Sequence, residues 1–392
     1  QLAMDFLKTV STDEVRSHLR SGRPFSAVLV DGGLPGVDRD LLELAADHGC
    51  TPIVVGDRAR PWTATGAAAA LDPAFGREDL EAVLVEHATP IGRADEVPGQ
   101  VEIADPLPGF RAPTVVVTGA GGTGRSVLAA ALAQGFSEDV VHAGTVVLAD
   151  LALNAEQAML HDAGDVIPGL LELVEAHRAG SPAADDVLAS TFDVAERGYR
   201  LLLGLRRHRD WTALRPRAVR AAVDGLRRAS TLLVADVDAD LEGETSTGSA
   251  DVEDRNVLAR TAVGAADVVV VVGVGGLKGA HSLLRVVRDV VDAGAEPERI
   301  VPVVNRAPRR GSARVELVRT WQELLAPDRR SVEDALRDGT RFPTTVVEPI
   351  TDAVRRRLDA LDRRTSEAVE GSAEPVRVEI GSLGSWDDEA VG

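Results

Sequence analysis

TVVVTGAGGTGRSVLAAAL, residues 114–132, decides how the rest of the chain is read. Val115, Val116 and Val117 are β-branched and apolar and predict a buried strand. From Gly119 to Gly124 the chain is a glycine-rich turn, and from Ser126 to Leu132 a run of Ala, Leu and Val predicts a helix. Strand, glycine turn and helix in this order aim backbone N–H groups and a helix N-terminus at one point, the arrangement that receives phosphate. Gly119, Ala120, Gly121, Gly122, Thr123, Gly124, Arg125 and Ser126 fit the pattern GxxxxGK[ST] at every fixed place but one, Arg125 standing where Lys belongs. The same stretch satisfies GxGxxG through Gly119, Gly121 and Gly124. The first pattern implies a nucleoside triphosphate and the second a dinucleotide.

The chain has 392 residues, enough for two ordinary domains. Hydrophobic residues make up 44% but aromatic ones only 3%, so the core is expected to be Val, Leu and Ala. A net charge of −19 argues against general nucleic-acid affinity and leaves only local basic patches for such a role. Cys50 is the single cysteine; this excludes an intramolecular disulfide framework and suits a reducing cytoplasm. It precedes an apolar strand and reads as a small core residue. No apolar run approaches the ~20 residues of a membrane span, and the N-terminal residues do not read as a signal peptide.

Residues 1–89 alternate strand and helix: strands at 6–10, 25–30, 52–55 and 67–71, helices at 13–20, 40–47 and 78–87. This predicts a small parallel α/β unit. Asp31-Gly32-Gly33-Leu34-Pro35, at the end of the second strand, resembles the DxxLP segment of response-regulator receiver domains. The resemblance implies that Asp31 stands at the phospho-acceptor place. The bland alternative is an Asp capping a strand–loop turn. Asp72 stands where receivers carry Lys before a Pro, and Gly56 and Asp57 replace the hydroxyl residue after the next strand. Residues 1–89 are therefore expected to be a truncated pseudo-receiver lacking its first strand. Residues 90–113, rich in Gly, Pro and acids, read as a linker.

From 114 to 350 a second α/β domain is expected. Its strands after the first lie at 145–149, 199–205, 231–235, 268–272 and 300–304; three of them lead into Asp150, Asp236 and Asn305. Helices are expected at 165–176, 184–188, 216–228, 252–262 and 279–293, the last with Leu283, Leu284 and Val287 on one face, and at 314–325, 332–337 and 352–365. Val/Leu/Ile-rich strands each followed by a helix are the pattern of a parallel sheet covered on both faces. Residues 351–392 read as a charged helix followed by a flexible acidic tail.

A dinucleotide site would place Asp150 on a ribose hydroxyl. A short-chain dehydrogenase also needs a Tyr followed four residues on by Lys, but the only tyrosine is Tyr199 and Leu203 lies four on. The phosphate-loop reading uses more of the chain. Ser126 supplies a hydroxyl for Mg²⁺, Asp236 ends a buried strand as a Walker-B acid does, and Asn305-Arg306 suits a base-recognition loop.

These motifs, with residues 265–270 (AADVVV) and 303–306 (VVNR), resemble the MinD/ParA family of deviant-Walker ATPases, and within it the CpaE/TadZ branch. That branch joins a receiver-like domain to a MinD-like ATPase. The resemblance spans about residues 1–350. It implies a truncated flavodoxin-like pseudo-receiver followed by a MinD/ParA-like P-loop domain. It also implies a homodimer binding ATP or ADP with Mg²⁺. Gly119–Ser126 and Val127 would cradle the phosphates with Arg125 as cation. Ser126 and Asp236, supported by Asp150, would hold the metal, and Asn305 and Arg306 would lie at the adenine.

Departures from the family pattern concern chemistry. Ala120 replaces the signature Lys that reaches the partner subunit's nucleotide. Ala152 replaces the second Asp of Asp-x-Asp, and Asp236-Val237-Asp238-Ala239-Asp240 lacks the Pro and Gly of the switch segment. Slow or absent hydrolysis is the expectation. By resemblance the role is a cytoplasmic localisation scaffold, recruited to a pole or the inner face of the membrane. It would serve Flp/Tad pilus secretion machinery or septum positioning. The alternatives are an active partition-type ATPase cycling on DNA or membrane, and a nucleotide-free structural dimer. Asp236, Asp238 and Asp240 also match part of a calcium loop, but Leu241 and Thr247 break it. Arg206-Arg207-His208-Arg209 with Trp211 is a basic cluster that reads as a solvated loop or a contact for an anionic partner.

Overall fold

A computed structural model describes residues 7–21, 23–56, 60–89, 111–139, 141, 144–164, 167–307, 322–325 and 329–372. Phe6, Asp57, residues 90–110, 165–166 and 314–321, and the tail from 373 onward, each given a reading above, lie outside the described residues.

The first unit is α1 (Thr12–Arg20), β1 (Ala27–Asp31), α2 (Arg39–Asp47), β2 (Thr51–Val55), β3 (Ala69–Leu71) and α3 (Arg77–His87). Its three strands are parallel in the order β1-β2-β3. α1 and α2 start where short polar side chains can cap them: Ser11 Oγ accepts from Glu14 N (3.2 Å) and Asp38 Oδ1 from Leu41 N (3.1 Å). Leu41, Leu42, Ile53, Val54 and Cys50 are buried, Cys50 as expected of a core residue. Residues 7–10 form no strand.

The second unit runs β4 (Thr114–Gly119), α4 (Arg125–Ser137), β5 (Val146–Asp150), α5 (Gln157–Leu160), α6 (Leu170–Ala179), α7 (Ala184–Ala189), β6 (Phe192–Val194) and β7 (Tyr199–Leu202). Then come α8 (Pro216–Ala229), β8 (Leu232–Asp236), α9 (Glu244–Thr247), α10 (Ala250–Arg255), α11 (Val257–Gly264), β9 (Val268–Val274) and α12 (Leu277–Asp292). It closes with β10 (Ile300–Ala307), β11 (Gln322–Leu325) and the helices Arg329–Arg337 and Thr344–Ser372. The eight strands lie in the order β11-β10-β9-β4-β8-β5-β7-β6, parallel except for the β6–β7 pair. Strand alternation sends Val116, Val147, Leu233 and Val269 to the face covered by α6, α8, α11 and α12. Val115, Val117, Leu148, Val234 and Val270 go to the face covered by α4 and the C-terminal helix. Both faces are buried, which is why these strands are unbroken apolar runs.

Three expectations are corrected. Gln322–Leu325 pairs parallel with β10 as an edge strand and is not helical. The helix expected at 252–262 breaks at Asn256, whose amide leaves the helix to donate to Asp240 Oδ1 and Glu242 O, both at 2.9 Å. On α12, Leu283 is buried but Leu284 is 57% exposed.

The two units meet along α2. Arg39 Nε donates to His177 O (3.0 Å) and its Nη2 to Gly180 O (3.0 Å), while Arg60 Nη2 donates to Ala179 O (3.3 Å). These carbonyls are the last turn and C-cap of α6, which its own backbone leaves without partners. Arg178 Nη1 reaches Asp38 (3.1 Å), and Arg217 N donates to Asp40 Oδ1 (3.1 Å).

Candidate functional site

β4 is flanked by β8 and β9 at the middle of the sheet, so the loop after it opens at the carboxyl edge where the chain has strands on both sides. Three glycines shape that loop. Gly119 leaves the strand at φ 156°, and Gly122 and Gly124 take the left-handed values 77° and 88°. A side chain on Gly119 would lie 2.3 Å from Val272 O, so β9 passes too close for any Cβ. Thr123 closes the turn, its Oγ1 donating to Ala120 O at 2.8 Å. No side chain caps the start of α4, which leaves its first N–H groups facing the loop. Gly121 and Gly122 are exposed at the crest; Val127 packs its side chain into the core under α4.

Asn305, at the end of β10, is buried and donates its Nδ2 to Thr123 O (2.8 Å), while its Oδ1 accepts from Arg306 N (2.9 Å). Its amide is thus committed to bracing the loop rather than open to a base. Arg306, in a left-handed conformation (φ 54°), is exposed beside it.

Register aligns Val117, Asp236 and Asp150 across three neighbouring strands. Asp236 and Asp150 have no exposed surface. The structure does not leave Arg125 free over the loop. Its Nε lies 2.7 Å from Asp236 Oδ1, a charge contact without hydrogen-bond alignment, and its Nη1 donates to Asp238 Oδ1 at 3.0 Å. Gln157, which belongs to none of the motifs read above, donates from Nε2 to Asp236 Oδ2 (2.8 Å) and Ser126 O (3.0 Å). Asp238 Oδ2 accepts from Leu153 N (2.6 Å). Asp150 accepts from Ala152 N (3.3 Å) and Gln157 N (2.9 Å).

Burial lowers the affinity of the Arg125 guanidinium for its proton, but the charges of Asp236 and Asp238 outweigh this and hold it cationic. Burial, and then the neighbouring Asp236 charge, push Asp150 well above the usual carboxylate range despite its two backbone donors. The set Ser126, Asp236 and Asp150 is therefore not laid out as metal ligands: Asp150 spends both oxygens on backbone donors, and Asp236 accepts from Gln157 at Oδ2 and sets Oδ1 against the Arg125 charge. Among the described residues no three His, Cys, Asp or Glu side chains are placed to hold a metal ion. Asp240, the third acid of the calcium pattern, turns to Arg255 (2.6 Å) and Asn256 (2.9 Å).

Asp31 lies in the other sheet, exposed at the end of β1, with Oδ1 accepting from Gly33 N (2.8 Å). This is the turn-capping geometry. In the basic cluster, Arg206 pairs with Glu172 and Trp211 packs against the core.

Behind Gln157, His161 Nδ1 lies 2.8 Å from Gln157 O and so must donate to it; the neutral ring then accepts Tyr199 O–H at Nε2 (2.7 Å). Burial drives His161 down to about 4. A histidine depressed in the fold stabilises it above the unfolded pKa near 6.5, and that contribution is lost as pH falls from there toward 4. Urea denaturation is expected to show wild type losing up to about 3 kcal/mol relative to His161→Gln across this window. Parallel pH profiles for the two proteins would exclude it.

No family model matches the chain, and none of the curated proteins does. Solved structures similar to it include a ParA family ATPase from Chlorobium tepidum TLS, at 14% identity and a TM-score of 0.49 over 62% of this chain and 98% of that one. The cell division ATPase MinD of Pyrococcus furiosus matches at 15% and 0.48, over 64% and 99%. The septum site-determining protein MinD of Pyrococcus horikoshii OT3, solved with Mg-ADP, matches at 16% and 0.47, over 65% and 97%. Identities this low concern fold alone. Strand order and register make this chain an α/β protein with a mostly parallel central sheet.

Proposed function

We propose that the chain binds ATP or ADP at the loop 119–126 and works as a nucleotide-responsive dimeric scaffold of MinD/ParA type, with slow or no hydrolysis. One observation carries the reading. An uncapped helix start and two left-handed glycines converge beside β8, at the point where the sheet has strands on either side. The dinucleotide alternative loses its support, because a ribose-binding acid must be reachable and Asp150 is wholly buried with both oxygens engaged.

Weak hydrolysis follows from what stands around the loop. Ala120 and Ala152 occupy the places where the family carries a Lys and an Asp, and Ala152 is itself buried. Nothing at either place can position a water or cross to a partner's phosphates. The resemblance to the CpaE/TadZ branch supports a role in placing Flp/Tad pilus machinery or a septum, with the first unit as a receiver-like module. Among the described residues no helix is long and apolar enough to cross a membrane.

Thermal shift with ATP, ADP, NAD and NADP side by side tests the reading. Ligand at 100 times its Kd adds about 2.7 kcal/mol, a rise of several degrees. A rise with ATP and ADP alone is expected. A rise confined to NAD or NADP, or none up to millimolar nucleotide, would overturn it. Turnover stimulated by DNA or lipid would favour the partition-type ATPase.

A further inference from the structure

We infer that Arg125 is the protein's own counter-cation at the carboxyl end of β8, standing in for a divalent metal ion, so that nucleotide is bound here without Mg²⁺. The inference rests on the phosphate-loop reading for its ligand, but not for the role of the arginine.

Asp236 is wholly buried, and a buried carboxylate needs a partner charge or donor on each oxygen. In a P-loop site of the ordinary kind, Mg²⁺ and its waters would answer that need. Here every oxygen is already answered from within the chain. Asp236 Oδ1 faces Arg125 Nε and its Oδ2 takes Gln157 Nε2; Asp238 Oδ1 takes Arg125 Nη1 and its Oδ2 takes Leu153 N. Asp150 holds two backbone N–H groups.

A magnesium ion could enter only by displacing a guanidinium that is 13% exposed and breaking its contacts with Asp236 and Asp238. The exchange sacrifices two charge contacts and demands near-octahedral oxygen ligands that the acids no longer offer. The residue type matters as much as the charge. A guanidinium is a planar fork whose Nε and Nη1 reach two carboxylates at once, whereas an ammonium is a point that serves one. Arg at position 125 in place of Lys thus exchanges a phosphate hand for a bridge between Asp236 and Asp238. Its Nη2 has no partner among the described residues and remains the one donor edge able to meet a phosphate oxygen.

Two measurements on the full chain test this. In the first, MnCl₂ alone is the probe and melting temperature the readout. Wild type is expected not to respond. Arg125→Met, which strips the bridge and leaves Oδ1 of Asp236 and of Asp238 without a partner, is expected to be stabilised by Mn²⁺, and Arg125→Met with Asp236→Asn is not. Arg125→Lys serves if the methionine variant does not fold, and is expected to gain a smaller Mn²⁺ response. In the second, ATP is titrated into wild type in excess EDTA and in excess Mg²⁺, with affinities expected to agree within about threefold. Wild type stabilised by Mn²⁺ alone, arginine variants that ignore Mn²⁺, or ATP affinity raised about tenfold or more by Mg²⁺ would overturn the inference. If wild type binds no nucleotide in either medium, the phosphate-loop reading fails, while the Mn²⁺ arm still decides what Arg125 does.

Discussion

Gly119→Ala is expected to cost the fold about 4 kcal/mol or more, seen as a lower urea midpoint at unchanged slope. The added methyl would stand 2.3 Å from Val272 O and 3.1 Å from its carbonyl carbon, with Thr123 Oγ1 at 3.2 Å. Real Cβ atoms do not approach backbone this closely, and no rotamer can relieve a clash with a carbonyl. Gly119 pairs with Val272 in the β4–β9 ladder, so relief means prising apart two central strands. The backbone at φ 156° adds strain of its own for a residue with a side chain. Hydrogen exchange should locate the damage in β4 and β9. A variant within 1 kcal/mol of wild type would show that the strands part more easily than this packing allows.

Gly135→Val is expected to cost about 3 kcal/mol and to strip exchange protection from the C-terminal helix before the rest. Gly135 lies on α4 where that helix crosses it. Even a single Cβ there would sit 1.9 Å from Thr351 Oγ1 and 2.9 Å from Val347 Cγ1. Valine adds two methyl groups to an already filled contact, so the two helices must separate. The milder Gly135→Ala offers a check on the cause. Thr351 Oγ1 is buried and makes no hydrogen bond among the described residues, so Thr351→Ala alone should be nearly silent. Combined with Gly135→Ala it should recover about 1 kcal/mol, because it removes the nearest atom of the clash. Strict additivity of the two changes would place the damage elsewhere.

The central strands were readable from sequence because burial on both faces makes them continuous Val and Leu runs with no helical period. The edges were not. Phe192–Val194 is three residues long, too short for alternation to register, and its antiparallel pairing with β7 depends on neighbours distant in sequence. Gln322–Leu325 is built of helix formers, and only its pairing with β10 makes it a strand; tertiary contact overrode propensity. The break at Asn256 was hidden for a similar reason, since Asn256 leaves its helix for Asp240 and Glu242 upstream.

At the site, the loop was legible because glycine spacing is itself the geometry. Asp236 and Asp150 were legible because each closes an apolar run. The turn of Arg125 toward Asp236 and Asp238 was not, nor was the part played by Gln157. Both depend on the fold bringing together residues distant in sequence: Arg125 and Asp238 are separated by 113 positions, Gln157 and Asp236 by 79. Asn305 was found by its place at the end of β10, but the brace it forms beneath Thr123 belongs to the folded loop alone.

The arginines that α2 and its neighbouring loop extend to the last carbonyls of α6 have a consequence for cooperativity. Arg39 and Arg60 finish a helix that belongs to the other sheet. Without them three carbonyls at the end of α6 turn to water and its last turn frays. The two sheets therefore do not hold separable free energies. Loosening the small one uncaps a helix of the large one, so the two are expected to unfold together.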